Sequence, residues 1–119
     1  MISNAPRIMV IYLTGFKRKL FRLVMNTKTV FNPFNGKMYT IESRSRVTNA
    51  LVNHEINIHG AQAKEMGAFY FLFYGVIWLS IKSGFSWANN PLEREAIDNE
   101  HNPEYHLTRE PFAWKKYRG

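Results

Sequence analysis

The segment His54-Glu55-Ile56-Asn57-Ile58-His59 places two imidazoles and a carboxylate within six residues. Metal-assisted hydrolysis by zinc uses those groups: two neutral imidazoles as ligands, a carboxylate beside an activated water, and a third ligand from elsewhere. The usual arrangement is H-E-x-x-H on a helix, where positions i and i+4 lie about 40° apart. Here one further residue intervenes. On an ideal helix i and i+5 lie about 140° apart, and the two rings diverge. A π-bulge absorbs one residue and restores convergence, and Gly60 directly after His59 eases such a distortion. The competing reading is a partly buried helix whose histidines are simply hydrogen-bonded.

A third ligand must come from a later element. Asn90 and Pro91 mark a helix start, as N-cap and first helical residue, and Asn102-Pro103 marks its end. Within that helix Glu93, Ala96 and Glu100 share one face, while Glu95 lies on another with Asp98 and Asn99. Glu93 also stands three residues after Asn90, the place of a capping-box glutamate and a favourable one for the helix dipole. Ligand and cap are both open for it.

The elements that carry these residues follow from spacing and turn chemistry. Val47, Leu51, His54 and Ile58 recur at i, i+4, i+7 and i+11, which predicts a helix over about 46–66 with His54 on its inward side. Gly67 is a break. Phe69 to Lys82 predicts a second helix, and its aromatic density (Phe69, Tyr70, Phe71, Phe73, Tyr74, Trp78) predicts burial on most sides. A third helix spans about 91–101. Ahead of them, Thr29–Asn32 and Lys37–Glu42 flank an Asn35-Gly36 turn and predict a small β-hairpin. Ile8 to Leu13 fits a short strand or a helix start. After Gly15, the residues Phe16, Leu20, Leu23 and Val24 recur at helical spacing and predict a short amphipathic helix. The tail after Tyr105 is expected to pack back through Tyr105, Phe112 and Trp114. The expected fold class is mainly α (α+β). Residues 1–45 form a basic segment with the hairpin, in the same domain or as an attachment segment, and residues 46–119 form a helical domain.

Composition bounds the rest. The chain has 119 residues, 45% of them hydrophobic and 15% aromatic, enough for one packed domain and too apolar for a disordered chain. It lacks cysteine, so disulfides, thiolate ligands and thiol nucleophiles are excluded. The net charge of +7 lies wholly in residues 1–60, which hold nine Lys and Arg against Glu42 and Glu55. The densest cluster is Lys17, Arg18, Lys19 and Arg22. It is either a solvated helix face or a contact for a membrane surface or an acidic partner; no nucleic-acid motif accompanies it. The charges follow the apolar run Ile8–Leu13, the reverse of a secretory signal. Met66 to Ile81 lacks charge but is shorter than the roughly 20 residues of a membrane span. A cytoplasmic or virion-associated protein is the expectation.

Taken in order, these motifs resemble a family of small gluzincin-like proteins of Bacteroidetes and their phages. That family reads N-H-E-x-I-H-x-x-Q-x-x-E-M, an aromatic helix, F-E-R-E-A-x-x-N-E, N-P-x-Y-x-x-x-R and a closing F-A-W-x-K-Y. The matching residues are Asn53-His54-Glu55, Ile58-His59, Gln62, Glu65-Met66, the aromatic run 69–78, Glu93-Arg94-Glu95-Ala96, Asn99-Glu100, Asn102-Pro103, Tyr105, Arg109, and Phe112-Ala113-Trp114 with Lys116-Tyr117. They cover about residues 50–117. The resemblance implies a helical minigluzincin-like core and a Zn²⁺ ion on His54 and His59. It implies Glu55 as general base in hydrolysis of a peptide or protein substrate. For the third ligand it points first to Glu93, by analogy with the E-x-x-A pattern of related gluzincins, with Glu95 and Glu100 open. The extra residue between Glu55 and His59 departs from the pattern, as do Leu92 and Ile97 where the family carries aromatics. Some unrelated zinc peptidases use H-E-x-x-x-H productively. The alternative is a catalytically degenerate scaffold serving in a protein assembly such as a phage virion.

Overall fold

The computed structural model describes residues 9–24 and 28–117. It is mainly helical with one small three-stranded sheet. Strands β2 (Thr29–Asn32) and β3 (Lys37–Thr40) form the expected hairpin, with Thr29 paired to Thr40 and Asn32 to Lys37. Gly36 takes φ +72°, which costs a residue without Cβ little. Asn32 and Asn35 tie the turn by accepting from the Phe34 and Lys37 N–H groups. The second strand stops short of the expected Glu42, because Thr40 Oγ1 accepts from Glu42 N–H and bends the chain. The apolar run before Gly15 is a strand, β1 (Val10–Tyr12), parallel to β3; Ile8 lies outside the described residues. The order β1-β3-β2 leaves β2 at an edge. Helix α1 (Gly15–Val24) connects β1 to β2.

Helix α2 runs over 49–66 and starts later than periodicity suggests. Arg44–Arg46 form a 3₁₀ turn, Val47 is extended, and Thr48 caps the helix by accepting from Leu51 N–H. Val47 still buries its side chain, but from outside the helix. Midway, between Asn53 and Ile58, the helix widens into a π-turn, and His59 N–H bonds to His54 C=O five residues back. Gly67, at φ +88°, ends it.

Helix α3 covers 68–82 and departs from expectation in its burial. Only Phe71, Gly75 and Leu79 are buried, at i, i+4 and i+8, while Phe69 is 70% and Phe73 56% exposed. Tyr70, Ile77, Trp78 and Ile81 are exposed too. One side of it packs closely against helix α4 (Pro91–Asn99). A Cβ on Gly75 would lie 2.6 Å from Leu92 Cδ1, and only a narrow stripe meets the body. One apolar cluster joins Phe31, Ala63, Phe71, Leu79, Leu92 and Trp114; a second joins Val10 and Met38 of the sheet to Val47 and Val52. Beyond α4 a short helix, α5 (Tyr105–Thr108), and a 3₁₀ turn, Ala113–Tyr117, return along the body. Trp114 is buried, Tyr105 is held through its hydroxyl, and Phe112 stays 39% exposed. No helix among the described residues is long and apolar enough to cross a membrane.

The start of α4 is fixed by Asn90, which is fully buried. Its Oδ1 accepts from Leu92 N–H at 2.8 Å, and its Nδ2 donates to Gly75 O at 2.7 Å and Ser80 Oγ at 3.0 Å. Asn90→Ala removes a cap and leaves a buried carbonyl short of a donor. The expected loss is about 2–4 kcal/mol of stability by urea denaturation. Asn90→Asp keeps the cap acceptor but sets a buried carboxylate oxygen against Gly75 O, so its loss should be at least as large as that of the alanine variant.

Candidate metal centre

The widened turn of α2 sets the geometry of the site. A π-turn takes about one extra residue, so His54 and His59 come onto one face despite their five-residue separation. Both are buried, and their rings meet edge to face with centroids 5.0 Å apart. Glu93, on the first turn of α4, reaches into the gap. Its Oε1 lies 2.9 Å from His54 Nε2 and 3.0 Å from His59 Nε2. The three ligating atoms fall within 4.8 Å of one another.

The remaining ring nitrogens are held from behind. His54 Nδ1 lies 2.7 Å from Glu100 Oε1, and His59 Nδ1 lies 2.7 Å from Gln62 Oε1. A carboxylate oxygen and an amide oxygen only accept, so both Nδ1 atoms carry protons. The Gln62 amide cannot turn round, since its Nε2 donates to Leu92 O at 3.0 Å and Glu95 Oε1 at 2.9 Å. In the neutral imidazoles both Nε2 atoms then present bare lone pairs, side by side, to a carboxylate oxygen. Such a set is unstable without a positive charge between its members. It suits a Zn²⁺-like cation, whose bonds of about 2.0–2.1 Å place tetrahedral ligand atoms about 3.3 Å apart.

No protein-family model, curated protein or solved structure matches this chain.

Burial alone would lower the pKa of His54, but the hydrogen bond and charge of Glu93, aided by Glu55 and Glu100, raise it to about 9. Burial pushes Glu93 the other way, yet its bonds to both histidines bring it down to about 2.

The structure therefore sorts Glu93 and Glu95 of α4 and Glu100 at its C-cap. Glu93 joins the histidines. Its role as a capping-box residue is not taken up: the Asn90 N–H bonds to Trp87 O instead. Glu95 is fully buried and turned away, with Oε2 bonded to Arg109 Nε and the Tyr105 hydroxyl. Arg109 also pairs with Glu65, so this ion-paired cluster, not the centre, holds Glu95. Glu100 stands behind His54. Gln62 and Glu100 thus orient the rings, a role that spacing alone left unread. The sequence signals for Gln62 are its position three residues after His59, on the same helix face, and its place in the pattern that residues 50–117 resemble.

Glu55 is buried beside the three, with Oε2 3.9 Å from His54 Nε2. Burial raises its pKa above the ordinary glutamate range, with the nearby imidazoles opposing. Glu55 and His59 form part of the wall of a pocket of about 420 Å³, otherwise lined largely by apolar groups including Phe31, Phe71, Val76, Phe85 and Trp87. The Trp87 ring stands 5.6 Å from that of His59. Phe85 holds φ +60°, an uncommon conformation for a bulky residue, at the pocket rim. The sequence leaves a loop between Lys82 and Asn90, but nothing in its pattern announced Phe85 and Trp87 as pocket residues.

Two outcomes follow. Glu100→Ala should leave the fold intact by circular dichroism and weaken zinc binding about 10–100-fold in a chelator competition titration. Arg109→Met strands the buried Glu95 carboxylate and should lower unfolding stability by about 3–5 kcal/mol.

Proposed function

We propose that this chain is a zinc-dependent peptidase, with His54, His59 and Glu93 as ligands and Glu55 as general base. The observation that carries the reading is the convergence of both imidazole Nε2 atoms on one Glu93 oxygen, with the Glu55 carboxylate beside them. The resemblance of residues 50–117 to gluzincin-like proteins supports the same ligands. Bound there, zinc would supply Lewis acidity, polarising the scissile carbonyl and lowering the pKa of water. The protein's own groups do the rest. Gln62 and Glu100 keep the two Nδ1 protons in place, so that the ligand face of each ring stays open. Glu55 takes the proton of the attacking water and passes it to the nitrogen of the leaving amine. The carbon–oxygen bond forms first, giving a tetrahedral adduct; the carbon–nitrogen bond then breaks as the carbonyl re-forms and the amine leaves with that proton. The pocket beside Glu55 and His59 suits an apolar side chain flanking the scissile bond, since Phe31, Phe71, Phe85 and Trp87 offer little to a charged one.

The purified protein should bind one zinc ion per chain, read by elemental analysis. His54→Ala, His59→Ala and Glu93→Ala should each lose it. Glu55→Gln should keep the metal while cleavage of peptides bearing Leu or Phe beside the scissile bond drops about 10²–10⁴-fold. Zinc bound equally by wild type and His54→Ala would sink the ligand assignment. Stoichiometric zinc with no cleavage that Glu55→Gln reduces would sink the catalytic one and leave the degenerate scaffold.

A further inference from the structure

Helix α1 presents the wrong side to solvent. In a surface helix of a globular protein the apolar stripe faces the core. Here Phe16 is 77%, Leu20 48% and Leu23 83% exposed. At about 100° per residue these three fall within an arc of about 60°. Lys19 lies on one flank of the arc and Lys17 on the other. The opposite side meets the body: Phe21 is half-buried, and Arg18 Nε donates to Ile41 O at 3.3 Å. The helix contains four cations, Lys17, Arg18, Lys19 and Arg22, and no acid. The exposed stripe is therefore no side effect of a frayed end. It is turned outward by contacts on the far side.

We infer that α1 docks on an anionic lipid surface, with Phe16, Leu20 and Leu23 entering the interface and Lys17 and Lys19 against the headgroups. The charge decides the occupant. A second copy would bring one cationic helix against another, in a chain whose net charge is already +7. Nucleic acid would satisfy the lysines but leave the apolar stripe between them in water. An anionic bilayer answers both, because apolar insertion and headgroup attraction act together on one helix face.

The test uses the full chain and sedimentation with vesicles of phosphatidylcholine, alone and mixed with phosphatidylglycerol. Binding to the mixed vesicles, little to the neutral ones, and weakening by added salt are expected. Phe16→Ser with Leu23→Ser, and separately Lys17→Glu with Lys19→Glu, should each weaken binding about tenfold or more. All four residues are exposed, and an unchanged circular dichroism spectrum and melting temperature establish that the variants fold. Equal binding to both vesicle types overturns the inference. So does full binding by both double variants, which would move the contact to the exposed Phe69 and Phe73 of α3. A dimer in sedimentation equilibrium that Leu23→Ser dissolves, without vesicle binding, assigns the stripe to self-association and overturns it too.

Discussion

Two histidines five positions apart can share one cation only if the helix between them is wide. That constraint organises much of this structure. The turn widens over Asn53–Ile58 and is held at both ends. At its start Asn53 is buried, its Nδ2 donating to Glu100 O at 2.9 Å and Asn102 O at 3.0 Å, and its Oδ1 accepting from Asn57. At its end Ile58 is fully buried, and His59 is fixed by Gln62 and packed beside Phe31 and Phe71. An exposed π-turn could relax to an ordinary helix by sliding one residue. Here such a slide would break the Asn53 bonds to the end of α4 and rotate Ile58 out of the core. The irregularity is maintained by tertiary contacts, not by local preference.

Helix α4 supplies the wedge, Glu93, from its first turn, and the anchor for Asn53 just past its last. Asn90 fixes where the helix begins, and the helix period then aims Glu93 and Glu100 at His54 while Glu95 faces the other way, toward Gln62 and Arg109. Burial opposes the Arg109 charge, but Glu95 and Glu65 raise its pKa above the ordinary value, so it stays a cation. That cation neutralises Glu95, Glu95 orients the Gln62 amide, and the amide fixes the His59 ring. A buried ion pair adds little net stability by itself. Its contribution here is orientation: each link accepts one geometry, and the last sets which nitrogen of His59 faces the centre.

Local chemistry made several of these parts legible. Asn35-Gly36, Asn90-Pro91 and the alternation around them specify a turn and a cap whose hydrogen bonds lie within a few residues. The shared face of Glu93 and Glu100 follows from helix period alone. The wide turn was legible as a requirement, since His54 and His59 cannot otherwise converge. The choice of Glu93 over Glu95 and Glu100 came from the family resemblance and not from the residues alone, because a face has no meaning until its neighbour is known. Nor was the exposure of α3 legible. Six aromatics in ten residues suggest a core, yet of them only Phe71 is buried, on the side where Gly75 lets Leu92 approach, and Phe69, Tyr70, Phe73 and Trp78 are left outside. Composition reports how much apolar surface a helix has, and packing decides which part of it is covered.

The charge balance of the centre gives the final constraint. Glu55, Glu93 and Glu100 bring three carboxylates around two buried imidazoles, with Arg109 committed elsewhere. With the imidazoles neutral, the group is an uncompensated anionic cluster in a largely apolar setting, an arrangement that folding alone disfavours. A proton on His54 relieves one charge of it. A divalent ion would relieve two and satisfy both Nε2 lone pairs and a Glu93 oxygen at once. On the proposed reading the arrangement serves as a ligand set, and the outward-facing stripe of α1 has the same character: each is a local feature that a specific partner would complete.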